Sequence, residues 1–128
     1  MTDSLRDPGP LSPRVVNEID PDLLDFLRGK VNTFLKWDLV RFFHDNPHTA
    51  DTAENIARYV GRDLLAVANE LGELAKDGLL KTQSLGDLAI YSLTDAAAAR
   101  GLIHRFVTAI EDRQFRVKAM YHVIRGSH

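Results

Sequence analysis

At 128 residues, with 45% hydrophobic and 27% charged side chains, the chain has the size and composition of one ordinary globular domain with its own core. It contains no cysteine, which excludes disulfides, thiol catalysis and cysteine-built zinc sites. The net charge of −2 gives no overall basic surplus, and the sign varies along the chain. Residues 1–46 carry six basic and eight acidic side chains, 47–94 four and seven, and 95–128 six and three, so the positive charge gathers at the C-terminal end.

Residues 1–19 include Pro8, Gly9, Pro10 and Pro13 and read as an irregular arm. The arm is polar and has no apolar stretch of the kind a signal peptide needs. No run elsewhere approaches a membrane span, so a cytoplasmic protein without a membrane partner is expected. Asp20 followed by Pro21 is a helix start, an acidic cap with proline at the first helical position. Leu23, Leu24, Leu27 and Val31 follow at helical spacing, and Gly29 weakens the continuation.

A stronger helix places Phe34, Leu35, Leu39, Phe42 and Phe43 on one face, with Lys36, Asp38, Arg41 and Asp45 off it. It ends at Asn46, since a residue before proline avoids helical backbone. A short third helix covers 52–60, capped by Asp51 or Thr52 and stopped by Gly61, with Ile56, Ala57 and Val60 facing inward. A fourth covers about 63–77 on a stripe of Val67, Leu71 and Leu74. The runs 79–85 and 88–93 flank Gly86 and Asp87 and read as a hairpin. Thr94 or Asp95 then caps a last helix that can run to Ile124, about 45 Å at the standard rise.

The order of short helix, turn, helix and hairpin resembles the winged helix-turn-helix regulators of the MarR and ArsR type, over about residues 36–94. The resemblance rests on Thr52, Ala53, Glu54, Asn55, Ile56 and Ala57, then Gly61, then Val67, Leu71 and Leu74, then Gly78, Leu79 and Leu80, and finally Tyr91, Ser92, Leu93 and Thr94. It implies a mainly α fold with a small β-hairpin wing, flanked by N- and C-terminal helices. The divisions expected are an arm over 1–19, an N-terminal helix and winged-helix domain over 20–94, and a dimerisation helix over 95–128.

In such regulators the second helix of the motif enters the major groove. Carried onto this chain, that helix offers Leu65, Ala66, Asn69, Glu70 and Glu73. The resemblance thus implies double-stranded DNA as partner, with contacts from Arg58, Arg62, Ala66, Asn69, Lys76, Lys81 and Gln83. The alternative is a winged helix used for protein contact without DNA, because Glu70 and Glu73 lie on the same surface and the wing tip, 84–87, has no basic residue.

In the last helix Ile103, Phe106, Ile110, Val117, Met120 and Ile124 fall near heptad spacing, and the resemblance assigns this stripe to a homodimer interface. Part of it has an alternative use in packing on the body and on the first helix. Arg100, Arg105, Arg113, Arg116, Lys118 and Arg125 mostly belong to the same helix and read as a solvated face.

His44, Asp45 and His48 gather potential ligands around Pro47, but the plainer reading is a polar loop ending a helix. His104 and His122 are too far apart on one helix to share a metal. No phosphate-binding loop, dinucleotide loop or nucleophile motif is present. No metal, cofactor or enzymatic activity is therefore expected. Gly126, Ser127 and His128 resemble the residue of an expression tag as much as native sequence.

Overall fold

The computed structural model describes residues 19–126, and the expected arm over 1–18 and the final Ser127 and His128 lie outside them. Ile19, assigned to the arm by its neighbours, is instead a buried member of the core.

Helix α1 (Pro21–Gly29) opens as its sequence dictates. Pro21 occupies the first turn, and the Asp20 carboxylate accepts the Asp22 N–H at 2.8 Å. Leu23, Phe26 and Leu27 are buried. Helix α2 (Phe34–Asp45) is capped by Thr33, whose hydroxyl oxygen accepts the Lys36 N–H at 3.0 Å, and it ends at Asn46 before Pro47. Leu35, Trp37, Leu39, Val40 and Phe43 are buried, and Trp37 donates its indole N–H to the Val31 carbonyl at 2.8 Å.

Strand β1 (Ala50–Thr52) leads directly into α3 (Ala53–Val60), capped by Thr52. Gly61 closes α3 at φ 69°, a left-handed conformation that glycine adopts without steric cost. Helix α4 (Leu64–Lys76) starts at Asp63, whose carboxylate accepts the Ala66 N–H at 3.0 Å. Its Val67, Leu71 and Leu74 are fully buried, as their spacing requires.

Strands β2 (Leu80–Leu85) and β3 (Leu88–Leu93) form the expected hairpin, with Leu85 opposite Leu88 across Gly86 and Asp87. Strand β1 adds to the other edge of β3, giving an antiparallel sheet in the order β1-β3-β2.

The C-terminal segment departs from the single long helix expected. Helix α5 (Ala97–Ala109) and helix α6 (Arg113–Gly126) are separated at residues 110–112. The Asp112 carboxylate accepts the Phe115 N–H at 2.9 Å, and the Arg116 guanidinium donates to the Ile110 carbonyl at 2.9 Å. An acidic cap and a cation on the free carbonyl thus stabilise a break inside an otherwise continuous apolar pattern. Neither Thr94 nor Asp95 caps α5: its first position is set by Ala96, without a side-chain bond. Thr94 accepts from the Ala96 N–H, and Asp95 pairs with Lys81.

The break lets α6 fold back against α1, where Arg28 reaches His122. Phe106 of α5 packs edge-on against Phe26 and Trp37, with ring centroids 5.7 and 5.6 Å apart. One cluster of buried side chains runs from Ile19 to Val123, crossing the boundary expected at 94 and 95. Among the described residues no helix is long and apolar enough to cross a membrane.

Candidate macromolecular interface

The outward face of α4 is fixed by the burial of Val67, Leu71 and Leu74 on its other side. Leu65 is 79% exposed at the start of that face, with Leu64 and Ala66 also exposed beside it. A leucine left in water at this level is not explained by the core, which α4 already supplies with three side chains. The hairpin tip has the same character, since Leu85 and Leu88 are both exposed.

The polar residues of the α4 face are held by partners within the chain. Lys36, expected off the apolar face of α2, is instead 3% exposed and buried beneath α4. Its ammonium donates to Glu73 Oε1 at 2.5 Å and to Asn32 Oδ1 at 3.1 Å. That burial is tolerable because the charge has an anionic and a neutral acceptor. The same ammonium holds the Glu73 carboxyl below its ordinary pKa, by its hydrogen bond first and its charge second. Glu70 Oε1 accepts the Thr33 hydroxyl at 2.5 Å. Residues 32–36 are thereby tied to α4 at two successive turns.

The residues assigned to DNA contact are placed as follows. Arg62 pairs with Asp38 of α2 at 2.6 Å. Arg58 donates to Asn55, one turn earlier on α3. Asn69 donates to Glu73 Oε2 at 3.4 Å. Lys81 pairs with Asp95 at 2.7 Å, which lowers the pKa of that carboxyl. Ala66, Lys76 and Gln83 are exposed. Exposed ion pairs of this kind are worth little and can open. Even so, three of the four arginine and lysine side chains in the set face a side-chain acceptor of the protein's own.

The dimer stripe divides at the α5–α6 break. Ile103, Phe106 and Ile110 are buried in the chain's own core and are not available to a second subunit. Val117, Met120 and Ile124 are exposed on α6, joined there by Tyr121.

Two arrangements were not readable from spacing. Asp51 accepts from Asn55, Thr52 and Tyr59, which together lower its pKa, with the Asn55 bond the largest cause. His44 Nε2 lies 3.0 Å from His104 Nδ1, with the rings stacked 5.2 Å apart. His104 therefore finds His44, not His122, across sixty positions. Among the described residues no group of three or more potential ligands could hold a metal ion.

No family model, curated protein or solved structure matches this chain.

Proposed function

We propose that the chain is a winged-helix module that uses the outer face of α4 and the tip of the β2–β3 hairpin to bind a protein partner. The observation that carries this reading is Leu65, four-fifths exposed on the helix that also carries the carboxylates of Glu70 and Glu73. Duplex DNA is a polyanion, and affinity for it comes from lysine and arginine neutralising phosphates. A protruding leucine, with the half-exposed Glu73 carboxylate farther along the helix, suits a partner surface with an apolar socket and a basic group at its rim.

The second reading is a homodimeric DNA-binding regulator of the cytoplasm. It is favoured by the element order and by α6, where Arg113, Arg116, Lys118 and Arg125 occur with no acidic residue. On that reading the self-contact uses Val117, Met120, Tyr121 and Ile124, and the ion pairs of Arg62 and Lys81 open to phosphates.

The two readings separate in one experiment. The protein is titrated into mixed duplex DNA at low salt, where phosphate contacts are strongest. In parallel it is used as bait in extract of its source, as wild type and as Leu65→Glu. No DNA binding at micromolar protein, with a partner lost on Leu65→Glu, is the expected result. Salt-sensitive DNA binding that survives Leu65→Glu and falls with Arg62→Ala overturns it.

A further inference from the structure

Helix α6 presents a second surface, different in chemistry from that of α4. Its fully buried residues are Ala119 and Val123, with Phe115 half-buried, and these seat it on the body. Val117, Met120, Tyr121 and Ile124 are exposed. They fall at i, i+3, i+4 and i+7, which places them in one row along the helix. Folding of the single chain accounts for the inner set. It leaves the outer row, built of side chains larger than Ala119, in contact with water.

Positive charge frames that row. Arg113 extends it by one turn, Lys118 and Arg125 share one flank, and Arg116 lies on the other. The Arg125 guanidinium sits 5.6 Å from the centroid of the Tyr121 ring. In the body, Lys36, Arg41, Arg62, Lys81 and Arg105 each face a carboxylate. None of the four α6 cations does so among the described residues, and residues 113–126 include no Asp or Glu. Arg116 donates only to a neutral acceptor, the Ile110 carbonyl.

These uncompensated cations decide what can cover the row. A second α6 would bring four more of them and no carboxylate, pressing like charges together. Duplex DNA would answer the cations and leave the apolar row in water. An anionic bilayer answers both, its headgroups meeting the cations while the apolar side chains enter the boundary of the acyl region. A fluid surface also accepts a convex helix without a matching groove. Tyr121 under the Arg125 guanidinium pairs an aromatic ring with a cation, as side chains at headgroup level do.

We propose that α6 docks the protein on an anionic membrane surface, with Val117, Met120, Tyr121 and Ile124 toward the lipid. At 14 residues α6 is about 21 Å long, and it lies in the plane of the surface without crossing it. The contact does not involve α4, so it stands or falls separately from what α4 binds.

The test is co-sedimentation of the full chain with two kinds of vesicle, phosphatidylcholine alone and an equal mixture with phosphatidylserine, at low and high salt. Binding to the mixed vesicles only, falling as salt rises, is the expected result. Arg113→Gln with Arg125→Gln, both exposed and without a carboxylate partner, should weaken binding about fivefold for each charge removed. Val117→Ser with Ile124→Ser should weaken it about tenfold or more, while the circular dichroism in solution matches the wild type. Leu65→Glu should leave it unchanged, whatever that variant does to a protein partner. The proposal is overturned if the mixed vesicles bind no protein at low salt, or if phosphatidylcholine alone binds as well. Wild-type binding by the Val117→Ser, Ile124→Ser variant also overturns it. So does salt-sensitive binding to polyglutamate with none to vesicles, which would assign the face to an acidic protein.

Discussion

Helix α4 and the α5–α6 segment both carry an apolar stripe at helical spacing, yet their stripes end in opposite ways. In α4 every stripe residue, Val67, Leu71 and Leu74, is fully buried. In the C-terminal segment Ile103, Phe106 and Ile110 are 2%, 0% and 6% exposed, while Val117, Met120 and Ile124 are 56%, 38% and 56% exposed. Spacing establishes that a helix has an apolar face. What covers that face depends on where the helix points, and at residues 110–112 the direction changes.

The largest effect that sharpens this contrast belongs to Phe106→Glu. Emptying a buried phenylalanine site costs about 3–5 kcal/mol before any charge is buried. The variant should therefore lose its fold, seen as a collapsed urea transition, and not merely its self-association. Leu71→Ala comes next, with an expected loss of about 2–5 kcal/mol in the same urea measurement. A loss below 0.5 kcal/mol, on the order of a surface substitution, would show that the two faces of α4 are interchanged.

Lys36→Met is an intermediate case, read through pH. The Glu73 carboxyl has its pKa lowered in the folded protein by Lys36. It thus contributes stability that is fully present above the ordinary glutamate value of about 4.5 and is lost as pH falls through the lowered folded value. Removing the ammonium should flatten this part of the acid limb when stability is measured between about pH 6 and pH 3, the window set by carboxylate titration. An unchanged acid limb would mean that the pair is not formed in solution.

The smallest effect on stability is expected at Val117→Glu and Ile124→Glu, within about 0.5 kcal/mol as for exposed sites in general. These substitutions should nevertheless reduce any self-association seen by light scattering. If they unfold the chain instead, α6 is packed more deeply than its exposed face indicates.

Most of what local chemistry decides was legible in the sequence. Asp20, Thr52 and Gly61 act as the helix caps their types suggest, and Gly86 with Asp87 turns the hairpin. The features that escaped depend on distant partners. Strand β1 is Ala-Asp-Thr, too short to show alternation, and exists because β3 offers it an edge. Lys36 reads as a surface residue until Glu73, thirty-seven positions on, is brought over it. The same holds for Arg62 with Asp38 and His44 with His104. At the break, Asp112 did carry a local signal, that of a helix cap, but the continuous apolar spacing from Ile103 to Ile124 concealed it. For the candidate interface, the carboxylates were visible in the sequence, whereas Leu65, at a helix start where the phase is open by a residue, could equally have belonged to the core. The internal pairing of its arginines and lysines was not visible.

The seating of α6 on α1 has a kinetic meaning as well. The contact between Arg28 and His122 joins residues ninety-four positions apart, whereas α3 meets α4 and β2 meets β3 through turns of a few residues. Closing a long loop carries an entropic cost that rises with the logarithm of its length, and only Ala119 and Val123 of α6 are buried to offset it. Helix α6 is therefore the element expected to dock last and to open first, in local excursions that leave the rest of the core intact. Amide hydrogens of α6 should exchange faster than those of α4.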